Sequence, residues 1–183
     1  MSFGEATSME LMNSLHRLDN FLFTAIFDRA NRRSIRILAR HLSRSGDGYL
    51  CVIVPLFLLL TSFPHALMYS QLLVGAMALE RLCYWCLKNS LRRLRPTDAD
   101  PGIEGVIVAG DKFSFPSGHT SAAFVLVTTL VLVYGPAFQA LYLWSALIAV
   151  SRVVLGVHYP GDTVAGGLMG MSIAVLVAIA MGI

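Results

Sequence analysis

Two histidines, an aspartate and a set of cations are spaced so that they could move a phosphoryl group. Asp162 follows His158 by four residues, with Gly161 between them. The aspartate could accept the Nδ1–H of His158 and leave Nε2 free to attack phosphorus, as the third member of a catalytic triad orients its histidine. His119 could protonate the leaving oxygen and later activate water. Lys88, Arg95 and Arg152 would repel one another unless an anion lies among them. Arginine's planar fork suits a phosphate, and lysine adds a point charge. Ser117 and Gly118 sit in Pro116-Ser117-Gly118-His119, at the start of a helical pattern. There, unpaired backbone N–H groups and the helix dipole favour negative charge, and a residue without a Cβ lets a phosphate come close. The cations would neutralise charge developing on the equatorial oxygens, work that a metal does in many phosphatases. The pattern therefore asks for no metal and no other cofactor.

Each of these residues alone has a plainer reading. A histidine or arginine at the end of a membrane span is an interfacial anchor, and Pro-Ser-Gly is a turn. What joins them is the set of elements that carries them. Of the 183 residues, 56% are hydrophobic and only 14% are charged, against about a quarter charged in soluble domains. This composition predicts an all-α integral membrane protein, a bundle of five to six transmembrane helices at about 20 residues each. The apolar runs place spans over residues 49–62, 65–88, 118–134, 137–155 and 162–183. Glu80 and Arg81 inside the second span are expected to pair with each other or with the bundle interior. Residues 89–116 form the one long polar loop, a length that is usually functional or disordered. Consecutive spans then end at Lys88, start at His119, end at Arg152 and start at Asp162, so their polar ends share one membrane face.

Residues 1–47 read as N-terminal amphipathic interfacial helices, and residues 48–183 as the transmembrane core. Leu11, Leu15, Leu18, Leu22 and Ile26 mark one face of a first helix; Arg32, Arg36, Arg40 and Arg44 line a face of a second. A basic amphipathic helix beside membrane spans is expected in the headgroup layer. No basic residue accompanies Glu5 and Glu10 in the first ten residues, which does not fit a signal peptide. Cys83-Tyr84-Trp85-Cys86 matches a C-x-x-C pattern but lies in an apolar run, so these thiols, with Cys51, read as packing groups. No basic stretch is interleaved with aromatics, which argues against nucleic acid as a partner.

Three multi-position motifs now stand together: Lys88, six residues, Arg95-Pro96; Pro116-Ser117-Gly118-His119; and Ser151-Arg152, five residues, His158, three residues, Asp162. In these the chain resembles the type-2 phosphatidic acid phosphatase family, or lipid phosphate phosphatases, over about residues 49–183. The resemblance implies an all-helical bundle and a metal-independent phosphatase working through a phosphohistidine. It implies His158 as nucleophile, His119 as acid and base, and Asp162 as the group orienting His158. Lys88, Arg95, Ser117, Gly118 and Arg152 would bind phosphate. The expected partner is a lipid phosphate within the bilayer, with no obligatory protein partner. Small bacterial members act on polyprenyl pyrophosphates, phosphatidylglycerophosphate or phosphatidate, and undecaprenyl pyrophosphate is the favoured expectation. Vanadium haloperoxidases share the motifs but are soluble, so an oxidoreductase is the weaker alternative. The expected location is the bacterial inner membrane with the site on the extracytoplasmic face. The arginines before the first span pull the other way under the positive-inside rule, unless residues 11–30 add a sixth span.

Overall fold

A computed structural model describes residues 3–183, with side chains described from Ser14 onward. Leu11, counted above on the first amphipathic face, lies outside the described side chains. Among the described residues eight α-helices follow one another: α1 (Phe3–Arg29), α2 (Arg33–Ser45), α3 (Leu50–Leu60), α4 (Ala66–Leu91), α5 (Pro96–Ala99), α6 (Gly118–Tyr134), α7 (Leu141–Val154) and α8 (Pro160–Met181). A 3-10 turn, Pro136–Phe138, leads into α7. The described residues contain no strand. The long polar loop is not wholly irregular. Pro96 opens α5, where its fixed φ and missing N–H suit the first helical position.

Helix α6 runs through the centre, packed by α4, α7 and α8. From Thr120 to Leu130 only Phe124 is not buried. The α6–α8 contact is made close by two glycines one helical turn apart. A Cβ on Gly166 would sit 2.6 Å from the Ser117 carbonyl oxygen, and one on Gly170 would sit 2.4 Å from that of Ser121. Small residues at this spacing let helix backbones touch. Polar side chains line the interior, where Glu80, Thr120, Ser121, Thr129 and Ser145 are fully buried. They are satisfied locally: Thr129 Oγ1 donates to the Val125 carbonyl at 3.0 Å, and Ser145 Oγ to that of Ala123 at 3.2 Å. Glu80 and Arg81 do pair, with Nε to Oε2 at 2.5 Å, and Ser121 Oγ also donates to Glu80.

The outer surface is apolar. Ile53, Leu56 and Phe57 of α3, Leu143 and Val150 of α7, and Leu168, Leu176 and Ile179 of α8 are all exposed. Apolar side chains on the outward faces of these helices are what a helix bundle presents to lipid. The segment Pro136–Val154 and helix α8 are each long and apolar enough to cross a bilayer. Helices α2 and α3 meet the same test as a pair bent by 51°, and α6 is apolar but shorter.

The N-terminal helices lie against the bundle. Trp144 Nε1 of α7 donates to Ser45 Oγ of α2 at 2.9 Å. Phe23 of α1 is buried against Val153 and Tyr159, while Leu15, Leu18 and Phe21 stay exposed. Replacing Gly170 by valine should force α6 and α8 apart and cost about 1–3 kcal/mol, the usual penalty of overpacking. Thermal unfolding in detergent checks this; an unchanged melting temperature would show that the two backbones do not touch there.

Candidate active site

The sequence-predicted residues converge at one end of the bundle. His158 stands in the short connection between α7 and α8, held from both sides. Val157 N bonds to the Arg152 carbonyl at 3.2 Å, and Val106 N to the Leu155 carbonyl at 3.0 Å. Gly156 turns the chain here with φ +80°, a left-handed conformation that favours glycine. His158 is almost fully buried. Its Nδ1 lies 3.7 Å from Asp162 Oδ2 and 3.5 Å from Ser114 Oγ. Both distances are longer than a good hydrogen bond, and Ser114 itself donates to Asp162 Oδ2. Asp162, Ser114 and the His158 imidazole thus form a three-membered cluster. Catalytic hydrogen bonds are commonly loose before substrate arrives.

Asp162 is fixed from several directions. Its Oδ2 caps α8 by accepting from Tyr159 N at 2.8 Å. Its Oδ1 accepts from Arg93 Nη1 at 2.8 Å. Arg93 reaches back to Asp19 of α1 at 2.6 Å, and Asp19 Oδ1 also accepts from Gly161 N at 2.7 Å. The backbone N–H of Ser117 donates to the Asp162 carbonyl at 3.0 Å. The starts of α6 and α8 are therefore bonded directly.

His158 faces a cavity of about 230 Å³, which Arg81, Arg95, Gly118, His119 and Arg152 also line. His119 Nε2 sits 2.9 Å from Asp47 Oδ1, which fixes the ring and leaves Nδ1 to serve a leaving oxygen. Arg95 donates to the Val157 carbonyl and to the side chain of Asp111. Arg152 Nη1 donates to Ser43 Oγ at 2.6 Å, and its Nε is buried without a partner.

Two expected phosphate ligands stand back from this cavity. Ser117 is fully buried, and its Oγ accepts from Thr120 Oγ1 at 3.0 Å. Lys88 Nζ donates to Asp111 Oδ2 at 2.6 Å and to Tyr84 OH at 2.6 Å. Asp111 so bridges Lys88 and Arg95 where an anion was expected. Burial would raise the Asp111 carboxyl, but Lys88, Tyr84 and Arg95 outweigh it and hold the group at about 2. A larger apolar cavity, about 760 Å³ between α1 and the start of α8, meets Asp19 and Arg93 but neither histidine of the site. The smaller cavity is the one lined by both His119 and His158.

Burial pushes the His158 imidazole down to about 4; Asp162 pulls the other way, while the charges of Arg152 and Arg95 add to the lowering. His158 is thus held mainly neutral at neutral pH, the form in which an imidazole carries a lone pair able to attack.

Several residues of the site were not singled out from sequence. Arg93 lies in the long polar loop outside the three motifs, and Asp47 lies in none of them. Asp19 lies on a helix that reads as interfacial, and Ser114 and Tyr84 belong to no motif of the three.

The sequence profile of the PAP2 superfamily matches residues 67–182. The chain belongs to that superfamily. It is 31% identical over 98 residues to the lipid A 4'-phosphatase of Bacteroides thetaiotaomicron, covering 50% of this chain and 44% of that protein. It is 39% identical over 101 residues to the decaprenylphosphoryl-5-phosphoribose phosphatase of Mycolicibacterium smegmatis, covering 53% and 52%. The chain thus spans about half the length of these curated relatives. Its structure is similar to that of Aquifex aeolicus LpxE, with a TM-score of 0.78 and 27% identity over 88% of this chain and 95% of that one. The fold is shared with a transmembrane PAP2-type phosphatidylglycerolphosphate phosphatase of Bacillus subtilis, with a TM-score of 0.72 and 20% identity over 93% and 87%.

Two measurements check the geometry. In a histidine 15N titration of the substrate-free protein, the signal lost in His158→Gln should titrate near pH 4; a midpoint near the ordinary 6.5 would contradict the buried, cation-flanked setting. Arg93→Gln should lower kcat about ten- to a hundredfold, because it removes a charge-assisted bond that fixes Asp162. Steady-state kinetics read this directly, and wild-type kcat in the variant would remove Arg93 from the positioning network.

Proposed function

We propose that the protein is a membrane lipid phosphatase that works through a phosphohistidine. The observation that carries this reading is the shared cavity of His158, His119, Arg95 and Arg152, with Asp162 bound behind the nucleophile. Nε2 of His158 attacks phosphorus and forms a P–N bond. The P–O bond to the leaving group breaks, its electron pair stays on the leaving oxygen, and His119 supplies the proton. His119 then takes a proton from water, whose oxygen attacks phosphorus. The P–N bond returns its electrons to His158, and inorganic phosphate leaves. Arg95, Arg152 and the free N–H groups at the start of α6, beside Gly118, balance the charge on the equatorial oxygens. Ser117 and Lys88 support this cradle, Ser117 through the start of α6 and Lys88 through Asp111.

The substrate is a lipid phosphate or pyrophosphate, presented where the polar helix ends meet the headgroup layer. A polyprenyl pyrophosphate such as undecaprenyl pyrophosphate is favoured, and the Mycolicibacterium relative, by its name, acts on a polyprenyl-linked phosphate. Phosphatidylglycerophosphate and phosphatidate are the alternatives. The protein is multi-pass in the bacterial inner membrane, with five to six spans and the site on the extracytoplasmic face.

Purified protein should release phosphate from lipid phosphates without added metal. His158→Ala should abolish release, and rapid quenching with a 32P-labelled substrate should trap label on His158. Undiminished turnover by His158→Ala would end the mechanism, and vanadate-dependent halide peroxidation without phosphate release would place the chain among oxidoreductases. A reporter fused at Ile183, read together with cysteine labelling in the 89–116 loop, should place that loop outside the cytoplasm.

A further inference from the structure

The basic row on α2 is not used by the chemistry described above, yet it reaches the site. A second cavity, about 330 Å³, shares Asp47, Gly110, His119 and Arg152 with the catalytic cavity and adds Arg40 and Arg44. Neither His158, the nucleophile, nor Arg95 lines it. It therefore continues the catalytic cavity on the side of the acid. A group bonded to the leaving oxygen would extend into it while His158 attacks.

The lining of this second cavity is built for an anion. Arg40, Arg44 and Arg152 face one carboxylate, Asp47, which is already taken by His119. Arg40 and Arg44 lie one helical turn apart, where like charges repel. Arg40 is held in place by its Nη2 bond to the Val106 carbonyl at 2.7 Å. Arg152 is nine-tenths buried and more, and its Nε has no partner. An unpaired buried donor of a charged group is costly, and an anion in this cavity would relieve it. Helix α2 lies before residue 67, where the match to the superfamily profile begins.

We infer that this cavity is a subsite for a second phosphate, one carried by the leaving group, held by Arg40, Arg44 and Arg152. The preferred substrate class is then a lipid whose leaving group bears its own phosphate. That phosphate is either the inner phosphate of a diphosphate or the phosphodiester of a phosphorylated headgroup. The inference rests on the phosphatase reading above and narrows its substrate.

The test compares kcat/KM within two substrate pairs in wild type, Arg44→Gln and Arg44→Lys. One pair is farnesyl diphosphate and farnesyl monophosphate; the other is phosphatidylglycerophosphate and phosphatidate. Arg44→Gln should lower the ratio of doubly to singly phosphorylated substrate about tenfold in at least one pair, the loss expected of one charge-assisted hydrogen bond. Arg44→Lys should restore part of it. The pair that shows the change names the source of the second phosphate. A ratio equal to that of wild type in both pairs overturns the subsite while leaving the phosphatase intact, because each single rate still reports phosphate release. If wild type releases phosphate from none of the four lipids, the phosphatase reading falls and the subsite with it.

Discussion

The close contact between α6 and α8 is the constraint on which the rest of the site depends. Gly166 brings α8 against the carbonyl of Ser117, and Ser117 N then reaches the carbonyl of Asp162. In the proposed mechanism one helix start carries the backbone donors for phosphate, and the other carries the group that orients the nucleophile. Their separation is set by backbone-to-backbone contact rather than by flexible side chains. A site assembled in this way keeps its geometry while lipids move around it.

Charge compensation is the second theme. Burying arginines and a lysine at a membrane surface is affordable only when each finds a partner. Arg93 is shared by Asp162 and Asp19, Arg95 and Lys88 share Asp111, and Arg81 is matched by Glu80. Arg152 is the exception, with one hydroxyl from Ser43 and one orphan nitrogen. The N-terminal helices enter this scheme directly. Asp19, Ser43 and Asp47 all come from before residue 48, so the segment that reads as a peripheral interfacial layer also completes the electrostatics of the site.

How much of this could be read from sequence follows from the range of each interaction. The motifs around Lys88, His119 and His158 are compact, and helix-end parity alone places them on one face. The pairing of Glu80 with Arg81 could be expected, because adjacent charges inside an apolar run have few other partners. Asp19 and Arg93 are 74 residues apart, and His119 and Asp47 are 72 apart. No periodicity links such residues, and each looks like an ordinary polar position where it stands. The glycines at 166 and 170 were not singled out from sequence, because the helix they pack against is visible only in three dimensions. Span lengths were less legible, because α2 and α3 combine across a bend and α4 carries Glu80, Arg81 and Lys88 along its length.

Asp111 gives the site a further property. The carboxylate already seated on Lys88 and Arg95 means that a phosphate reaching those cations replaces one anion with another. Binding there is an exchange, and its strength is the difference between two ion pairs rather than the whole of one. Such a site holds its cations in place without a ligand and gives up a product phosphate more readily than a bare cluster of the same charge. The loop that carries Asp111 is tied to the bundle partly by these same ion pairs, so an anion that displaced the carboxylate would loosen one of the loop's anchors.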